Sequence, residues 1–445
     1  MKRFEGIHFY INIKNFNDIV VDEETKTGAV THSIHALDTF FSSIERYSKK
    51  IYGKTLTVEK ITGSRLHIYV VEDIIPAYDA VRTISAYAFE LSKYINKEIP
   101  KYKSLLDFTI QVGCAYGEFY DFEFTTKNFT EATTIGYAAN FAAKIQAATW
   151  AGRLSISENI YEKLGKEDRD KFEKVLDDSM KKYDQDGYYT LNLSEVHSPV
   201  VIKSDDLTEV KEYANKVNLS EISYSGVRKP LNFSDLSKTS CKNVEGIPLF
   251  ADVRGFTSQF DSDDENLDEM AQKTQNILQS MYQVTTDNGG VHIQFQGDQE
   301  LALYHNTVNE FDETMTSCFK MAVLAAMRLV DAVKPFNVHI GVGGDYGKLY
   351  ATKIGARGEK DNILIGKTVI TADRMEDAYA DEDQIAITRS VFDGLKSEDP
   401  ELAKQFKYKG NIYVATVGFK EYQKSLYYAQ HSANTKQNKY NGAWG

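Results

Sequence analysis

At 445 residues the chain is long enough for two domains of ordinary size, each with its own core. Its net charge of -12 would repel a polynucleotide backbone, and no dense lysine and arginine cluster offsets that charge, so we expect no nucleic-acid partner. No stretch approaches the roughly 20 apolar residues of a membrane span, and the first residues lack the apolar segment of a signal peptide. We therefore expect a cytoplasmic protein with no membrane attachment.

The first elements along the chain occur twice. An apolar strand ends in a turn containing phenylalanine, FYINIKNFN at 9–17 and LFADVRGFT at 249–257. An amphipathic helix is predicted next, at 33–50 in the first copy and at about 265–286 in the second. A strand pair with a glycine turn follows, LTVEKITGSRLHIYV in the first copy and VHIQFQGDQELALY in the second.

The later elements repeat in the same order. After a further helix, each copy has a strand that runs into glycines, FTIQVGCAYGEFY and FNVHIGVGGDYGKLY, and then a glycine followed by another helix. The spacing is nearly constant, since Asn12 falls opposite Asp252 and Ser64 falls opposite Asp298. A repeat of this length is too long for a solenoid unit and indicates a duplicated domain.

The repeat divides the chain into two predicted domains of the α/β class. We expect a first domain at 1–195, a linker at 196–242, a second domain at 243–428 and a polar tail at 429–445. Strands that alternate with helices, with hairpins among them, predict an α+β sandwich in which a mixed sheet is flanked by helices.

Two aspartates of the second copy stand where metal ligands could converge. Asp252 ends the first strand and Asp298 occupies the turn of the strand pair. Divalent ions such as Mg²⁺ and Mn²⁺ prefer carboxylate oxygens that come from separate rigid elements. Aspartate is common in turns, so the prediction depends on the whole set: FADVRGFT, the Gly-Asp turn, and a glycine-helix segment that contains Arg374.

Together these motifs resemble those of the class III adenylate and guanylate cyclases, over about 190 residues of the second copy and more faintly over about 160 of the first. The resemblance implies an enzyme that converts a nucleoside triphosphate into a 3′,5′-cyclic monophosphate. It implies two divalent metal ions, Mn²⁺ or Mg²⁺, held by Asp252 and Asp298 with the backbone carbonyl of Val253. It also implies that the two copies pair as an intramolecular pseudo-heterodimer, so a monomer can be active; a homodimer stays open.

In this family the domain opposite the metal ions supplies the remaining groups. At the matching positions the first copy has Lys60 and Thr133 for the base, and Asn140 and Lys144 for the ribose and the developing phosphate charge. Asn140 and Lys144 are four residues apart on a predicted helix and therefore share one face. The family prefers arginine at the last position; lysine keeps the charge but loses the planar fork.

The turn after Asp252 is a predicted phosphate cradle, because backbone N–H groups ahead of a helix attract anions. It contains Arg254, Gly255, Phe256 and Thr257.

The reciprocal cleft is predicted to be inactive and either vestigial or regulatory. Its metal positions hold Asn12 and Ser64, neither of which is a carboxylate. From the second copy it would take these residues: Gln294, Ile363, Ile370 and Arg374. Isoleucine cannot hydrogen bond to a ribose, so only the arginine matches the family pattern.

A second motif, Gly343-Gly344-Asp345-Tyr346-Gly347, is similar to the GGDEF motif of diguanylate cyclases. That motif needs a second carboxylate directly after the aspartate, and tyrosine cannot provide one. We therefore do not expect that chemistry.

The base is the least determined feature. Guanylate cyclases of the family usually have an acidic residue where Lys60 stands, which leaves adenine and the pyrimidines. Outside the two repeats the chain has no sensor or membrane module, and in this it resembles the pyrimidine cyclases of Pycsar antiphage defence, which make cyclic UMP or cyclic CMP for a separate effector. A soluble adenylate cyclase and an inactive tandem module that binds nucleotides are the alternatives.

Overall fold

A computed structural model of the chain describes six stretches of residues: 2–125, 130–237, 239–255, 267–308, 315–356 and 360–427. Within them, no helix is long and apolar enough to cross a membrane. The predicted tail at 429–445 lies outside the described residues.

The first half is a mixed sheet flanked by helices. Its strands are β1 (Lys2–Ile13), β2 (Leu56–Thr62), β3 (Arg65–Val70), β4 (Ile110–Thr125), β5 (Thr130–Ile135), β6 (Arg153–Ile156), β7 (Glu173–Leu176) and β8 (Gly187–Asn192). Its helices are α1 (Phe16–Thr27), α2 (Thr31–Tyr52), α3 (Ile74–Glu98), α4 (Tyr137–Ala148), α5 (Glu158–Lys163) and α6 (Lys166–Arg169). The strand order is β2-β3-β1-β4-β6-β8-β7, with β5 paired to β4, and the β4–β6 pair is parallel.

The second half repeats this plan. Helix α7 (Ser204–Asn215) and strand β9 (Ser223–Gly226) precede it. Its strands are β10 (Ser240–Arg254), β11 (Val291–Gln296), β12 (Gln299–His305), β13 (Thr307–Val308), β14 (Met315–Thr316), β15 (His339–Gly344), β16 (Gly347–Ile354), β17 (Asp361–Ile365), β18 (Ile385–Thr388), β19 (Lys407–Lys409) and β20 (Ile412–Ala415). Its helices are α8 (Leu267–Asp287), α9 (Phe319–Val333), α10 (Lys367–Tyr379), α11 (Arg389–Glu398) and α12 (Pro400–Ala403).

The two sheets have the same strand order. The second runs β11-β12-β10-β15-β18-β20-β19, and its β15–β18 pair is parallel like the β4–β6 pair of the first. The predicted α/β class, with two mixed sheets flanked by helices, is therefore confirmed, and the duplication extends to the topology.

The segment predicted as a linker, 196–242, is packed against both halves. Val210 and Ala214, four residues apart on α7, are buried, and Lys50 on α2 binds the Asp206 carboxylate at 2.9 Å. Strand β9 pairs in parallel with β10. The connection thus adds one helix to the first half and one strand to the second.

The two halves share their cores. Tyr120, Phe124 and Ile135 of the first half belong to the main apolar cluster of the second. Conversely, Tyr350 and Ile354 of the second half belong to the main cluster of the first. Mutual burial of this kind stabilises a paired arrangement within one chain.

Two equivalent glycines let a helix lie directly on a strand. A Cβ on Gly113 in β4 would lie 2.3 Å from the backbone nitrogen of Gln146 in α4. A Cβ on Gly343 in β15 would lie 2.1 Å from the backbone nitrogen of Glu376 in α10. No side chain fits at either crossing, so these glycines set the position of both helices.

We predict that Gly113→Ala lowers the free energy of unfolding by about 1–3 kcal/mol, because the methyl group would push α4 off the sheet. Gly165→Ala is the matched control, since nothing lies within 4 Å of a Cβ there and its φ of -63° suits alanine. Chemical denaturation of both variants checks this. Equal stability of the two variants would contradict the assigned close approach.

Candidate active site

Two carboxylates lie on neighbouring strands at one end of the second sheet. Asp252, near the end of β10, pairs with Gln299, the residue directly after Asp298. Asp298 occupies the turn between β11 and β12, which Gly297 makes possible with a φ of +66°. The sheet therefore places Asp298 one residue before the pairing partner of Asp252.

Asp252 already attracts a cation from its own strand. Its Oδ2 atom lies 3.0 Å from one terminal guanidinium nitrogen of Arg254. The other terminal nitrogen of Arg254 donates to the carbonyls of Glu376 and Ala380 at 2.9 and 2.6 Å. Burial, together with the Asp252 charge, raises the pKa of Glu376 to about 8 although Arg254 opposes this. Carboxylate oxygens from a strand end and from a hairpin turn are the donors that divalent cations prefer, so the chemistry of the two aspartates fits the predicted metal ions.

A small pocket of about 130 Å³ lies between the halves beside Asp298. It is lined by Tyr10, Glu59, Lys60, Thr62, Arg65, His67, Asn140, Ala143, Gln296, Gly297 and Asp298. Asn140, in the first turn of α4, has its Oδ1 atom 3.9 Å from where a Cβ of Gly297 would lie. The structure thus brings Lys60, Asn140 and Asp298, three predicted site residues from both halves, to one pocket.

Lys60 is only 5% exposed and bridges the two halves. Its Nζ atom donates to Glu131 Oε1 at 2.8 Å and to the carbonyl of Phe295, in β11, at 3.1 Å. Burial alone would lower the pKa of Lys60, but the Glu131 carboxylate outweighs it and the pKa is raised. The lysine is therefore a buried, charged residue at the wall of the small pocket.

Thr133 and Lys144 do not line the small pocket. Thr133 is 1% exposed, and its hydroxyl has no hydrogen-bond partner within the described part of the chain. Lys144, one turn after Asn140 on α4, is half-buried and forms no ion pair with another described residue. Its amine is thus available to an anion.

The predicted phosphate cradle is described in part. The Val253 side chain is buried in the core and Val253 pairs with Ile340 of β15, whereas Gly255 is exposed after the end of β10. Phe256 and Thr257 lie outside the described residues.

Sequence reasoning missed a polar cluster at the back of the small pocket. His67 Nδ1 lies 3.0 Å from Glu59 Oε2, His67 Nε2 lies 2.9 Å from His8 Nδ1, and Tyr10 stacks on His67 at 4.1 Å. Burial alone would raise the pKa of Glu59, but the charge and hydrogen bond of His67 lower it to about 2. Histidine and tyrosine alternate on two paired strands, HFY and LHIY, and this was the available signal.

The reciprocal positions line a larger cleft of about 480 Å³, which Asp252 and Arg254 also reach. Here the Ser64 hydroxyl donates to Asn12 Oδ1 at 2.8 Å. A neutral hydrogen bond thus stands where the second half has its two aspartates. Ile370 lines the same cleft.

A buried histidine joins the halves beside Lys60. His292 Nδ1 lies 2.7 Å from Glu300 Oε1, and its Nε2 lies 3.4 Å from Glu131 Oε2 of the first half. Burial would lower the pKa of His292, but the two carboxylates raise it to about 9. The imidazolium form is therefore favoured in the folded protein at neutral pH.

Comparison with known proteins agrees with this fold. Residues 240–429 match the family model of the adenylate and guanylate cyclase catalytic domain. A uridylate cyclase of Pseudomonas aeruginosa is 22% identical over 403 residues, which cover 84% of this chain and 75% of that protein. The crystal structure of a class III adenylyl cyclase-like ATP-binding protein, also from Pseudomonas aeruginosa, superposes with a TM-score of 0.67 at 18% identity, over 95% of this chain and 90% of that one.

The fold and the family model agree on a class III nucleotidyl cyclase domain in the second half. Residues 240–429 match the adenylate and guanylate cyclase catalytic domain, and the first half repeats its strand order. Enzymes of this family depend on divalent metal ions.

We predict that His292→Gln weakens the pH dependence of stability above neutrality. Because folding raises the pKa of His292 from 6.5 to about 9, its contribution is complete below about pH 6.5 and is lost as the pH rises through 9. Chemical denaturation at pH 6 and pH 10 measures this. The difference between wild type and variant should be largest at pH 6; the same difference at both values would contradict the assigned charge.

Proposed function

We propose that the chain converts UTP or CTP into the 3′,5′-cyclic monophosphate and pyrophosphate, as a source of second messenger for antiphage defence. The observation that carries the proposal is the small pocket, where Lys60 and Asn140 of the first half meet Asp298 of the second. A separate effector would bind the cyclic product.

The donors of the small pocket favour a pyrimidine. Lys60 and Arg65 on its wall are N–H donors, which match the carbonyl oxygen that uracil and cytosine carry at position 2 and that adenine lacks. Thr133 lies behind this wall as the second proposed base residue. The similarity to a uridylate cyclase over most of the chain supports the same choice.

Asp252 and Asp298, with the Val253 carbonyl, would hold two divalent ions, Mg²⁺ or Mn²⁺. Bound there, such ions lower the pKa of the ribose 3′-hydroxyl and neutralise phosphate charge. Asn140 would orient the ribose, and the free amine of Lys144 would stabilise charge on the α-phosphate. The 3′-oxygen, once its proton has left to solvent, bonds to the α-phosphorus while the bond to the bridging oxygen breaks and pyrophosphate leaves.

The turn after β10 would add contacts to the triphosphate. The proposed donors are the backbone N–H groups of Arg254 and Gly255 and of the next two residues in the sequence, Phe256 and Thr257. If a metal ion took the place of Arg254 at Asp252, the guanidinium would keep its other partners, the carbonyls of Glu376 in α10 and of Ala380 directly after it.

An adenylate cyclase is the second candidate. Lys60 and Thr133 are compatible with adenine, and the protein of highest structural similarity described above is an ATP-binding one. Lys144, in place of the arginine that the family prefers, favours a third candidate, a tandem module that binds nucleotides without turnover.

We predict that purified protein with Mn²⁺ makes cyclic UMP or cyclic CMP at least tenfold faster than cyclic AMP when ATP, GTP, CTP and UTP are offered separately. Mass spectrometry of the products measures this, with Asp252→Ala as the control that should make none. Preferred formation of cyclic AMP would identify an adenylate cyclase. Nucleotide binding without any cyclic product would identify the inactive module.

A further inference from the structure

Two carboxylates reach across the boundary between the halves and bind backbone. Glu131 of the first half accepts a hydrogen bond from the N–H group of Phe295 in β11, at 3.0 Å to Oε1 and 3.3 Å to Oε2. Asp361 of the second half accepts one from the N–H group of Ile61 in β2, at 2.7 Å to Oδ2. Each contact binds the strand that leads into the hairpin turn of the other half.

The two contacts are equivalent by the internal repeat. Each carboxylate lies five residues before the glycine that precedes a helix, Gly136 in the first half and Gly366 in the second. Each bound N–H group lies three residues before the hairpin position, Asp298 in one half and Ser64 in the other. This contact between a carboxylate and a backbone N–H group of the other half, called the clamp below, thus occurs twice. Only the clamp formed by Glu131 holds a hairpin that carries an aspartate.

The clamp on the aspartate side is reinforced. Lys60 binds both Glu131 and the carbonyl of Phe295, while Glu131 accepts from the N–H group of Phe295. Both backbone polar groups of Phe295 are therefore bound by side chains of the first half. His292 and Glu300 extend the contact, and Lys60 also lies 3.9 Å from the buried Glu59 carboxylate. Buried charges of this kind resist displacement because moving one member leaves another unpaired.

We propose that Glu131 is a positioning residue: with Lys60 it fixes the backbone of Phe295 and thereby the place of Asp298 relative to Asn140. Asp361 makes the equivalent contact with the first-half hairpin, which carries Ser64. It holds the halves together and has no role in metal binding. This inference rests on the proposed function, because it assigns the Asp298 carboxylate to a metal ion. Ligands must be held within about 0.5 Å of their productive place, so loss of the clamp would weaken the metal site.

The two clamps provide a matched pair of variants in the full-length chain. Glu131→Ala and Asp361→Ala each remove one carboxylate that accepts from a backbone N–H group across the same boundary, and Glu131→Ala also removes the contact with His292. Mn²⁺ affinity, measured by electron paramagnetic resonance of the free ion with a non-cyclisable nucleotide present, should fall tenfold or more in Glu131→Ala. Asp361→Ala should stay within twofold of wild type, although both variants should lower the thermal midpoint.

Turnover provides a second readout. The half-saturating Mn²⁺ concentration for cyclisation should rise in Glu131→Ala and recover in part in Glu131→Gln, whose amide oxygen can still accept from the Phe295 N–H group. Glu131→Gln also serves if the alanine variant does not fold. Equal shifts in Mn²⁺ affinity for Glu131→Ala and Asp361→Ala, or no shift in either, would overturn the inference.

Failure of the proposed function is distinguishable from failure of this inference. A wild-type protein that binds Mn²⁺ through Asp298 but makes no cyclic nucleotide would refute the first and leave the affinity comparison intact. An active wild type whose Glu131 and Asp361 variants bind Mn²⁺ alike would refute the second alone.

Discussion

The buried contact between Lys60 and Glu131 of the first half and Phe295 of the second is the interaction on which the arrangement of the cleft depends. A lysine and a glutamate withdrawn from water are stable only if each keeps its partner. Because their remaining hydrogen bonds go to strand β11 of the other half, this buried pair keeps its full set of partners only when the halves are paired. The pairing in turn places α4 of the first half, with Asn140, against the turn that carries Asp298.

The two halves have one topology and different chemistry. On one side the hairpin and strand end carry Asp298 and Asp252; on the other, Ser64 and Asn12 form a neutral hydrogen bond at 2.8 Å. The strand end and the hairpin turn thus carry a pair of carboxylates in the second half and a pair of neutral side chains in the first. The two halves therefore differ in side-chain charge at these positions, although their backbone topology is the same.

The sequence was sufficient for features that depend on local order. Strand ends, glycine turns and the constant spacing of the repeat predicted the topology that the two halves share. What it could not predict are contacts across the boundary between the halves. A β-bulge between Val58 and Lys60 shifts the register of β2, and no local pattern indicates that Glu131, far along the chain, will meet it there.

The central claim is that one chain builds one working site from both of its halves. Mixing two variants that each lack one side, Asn140→Ala and Asp298→Ala, tests it most directly, with wild-type cyclisation as the reference. If the site forms within a chain, the equimolar mixture will make no more cyclic nucleotide than the two variants do separately. Recovery of a substantial fraction of wild-type activity on mixing would show that the site forms between chains and would contradict the account.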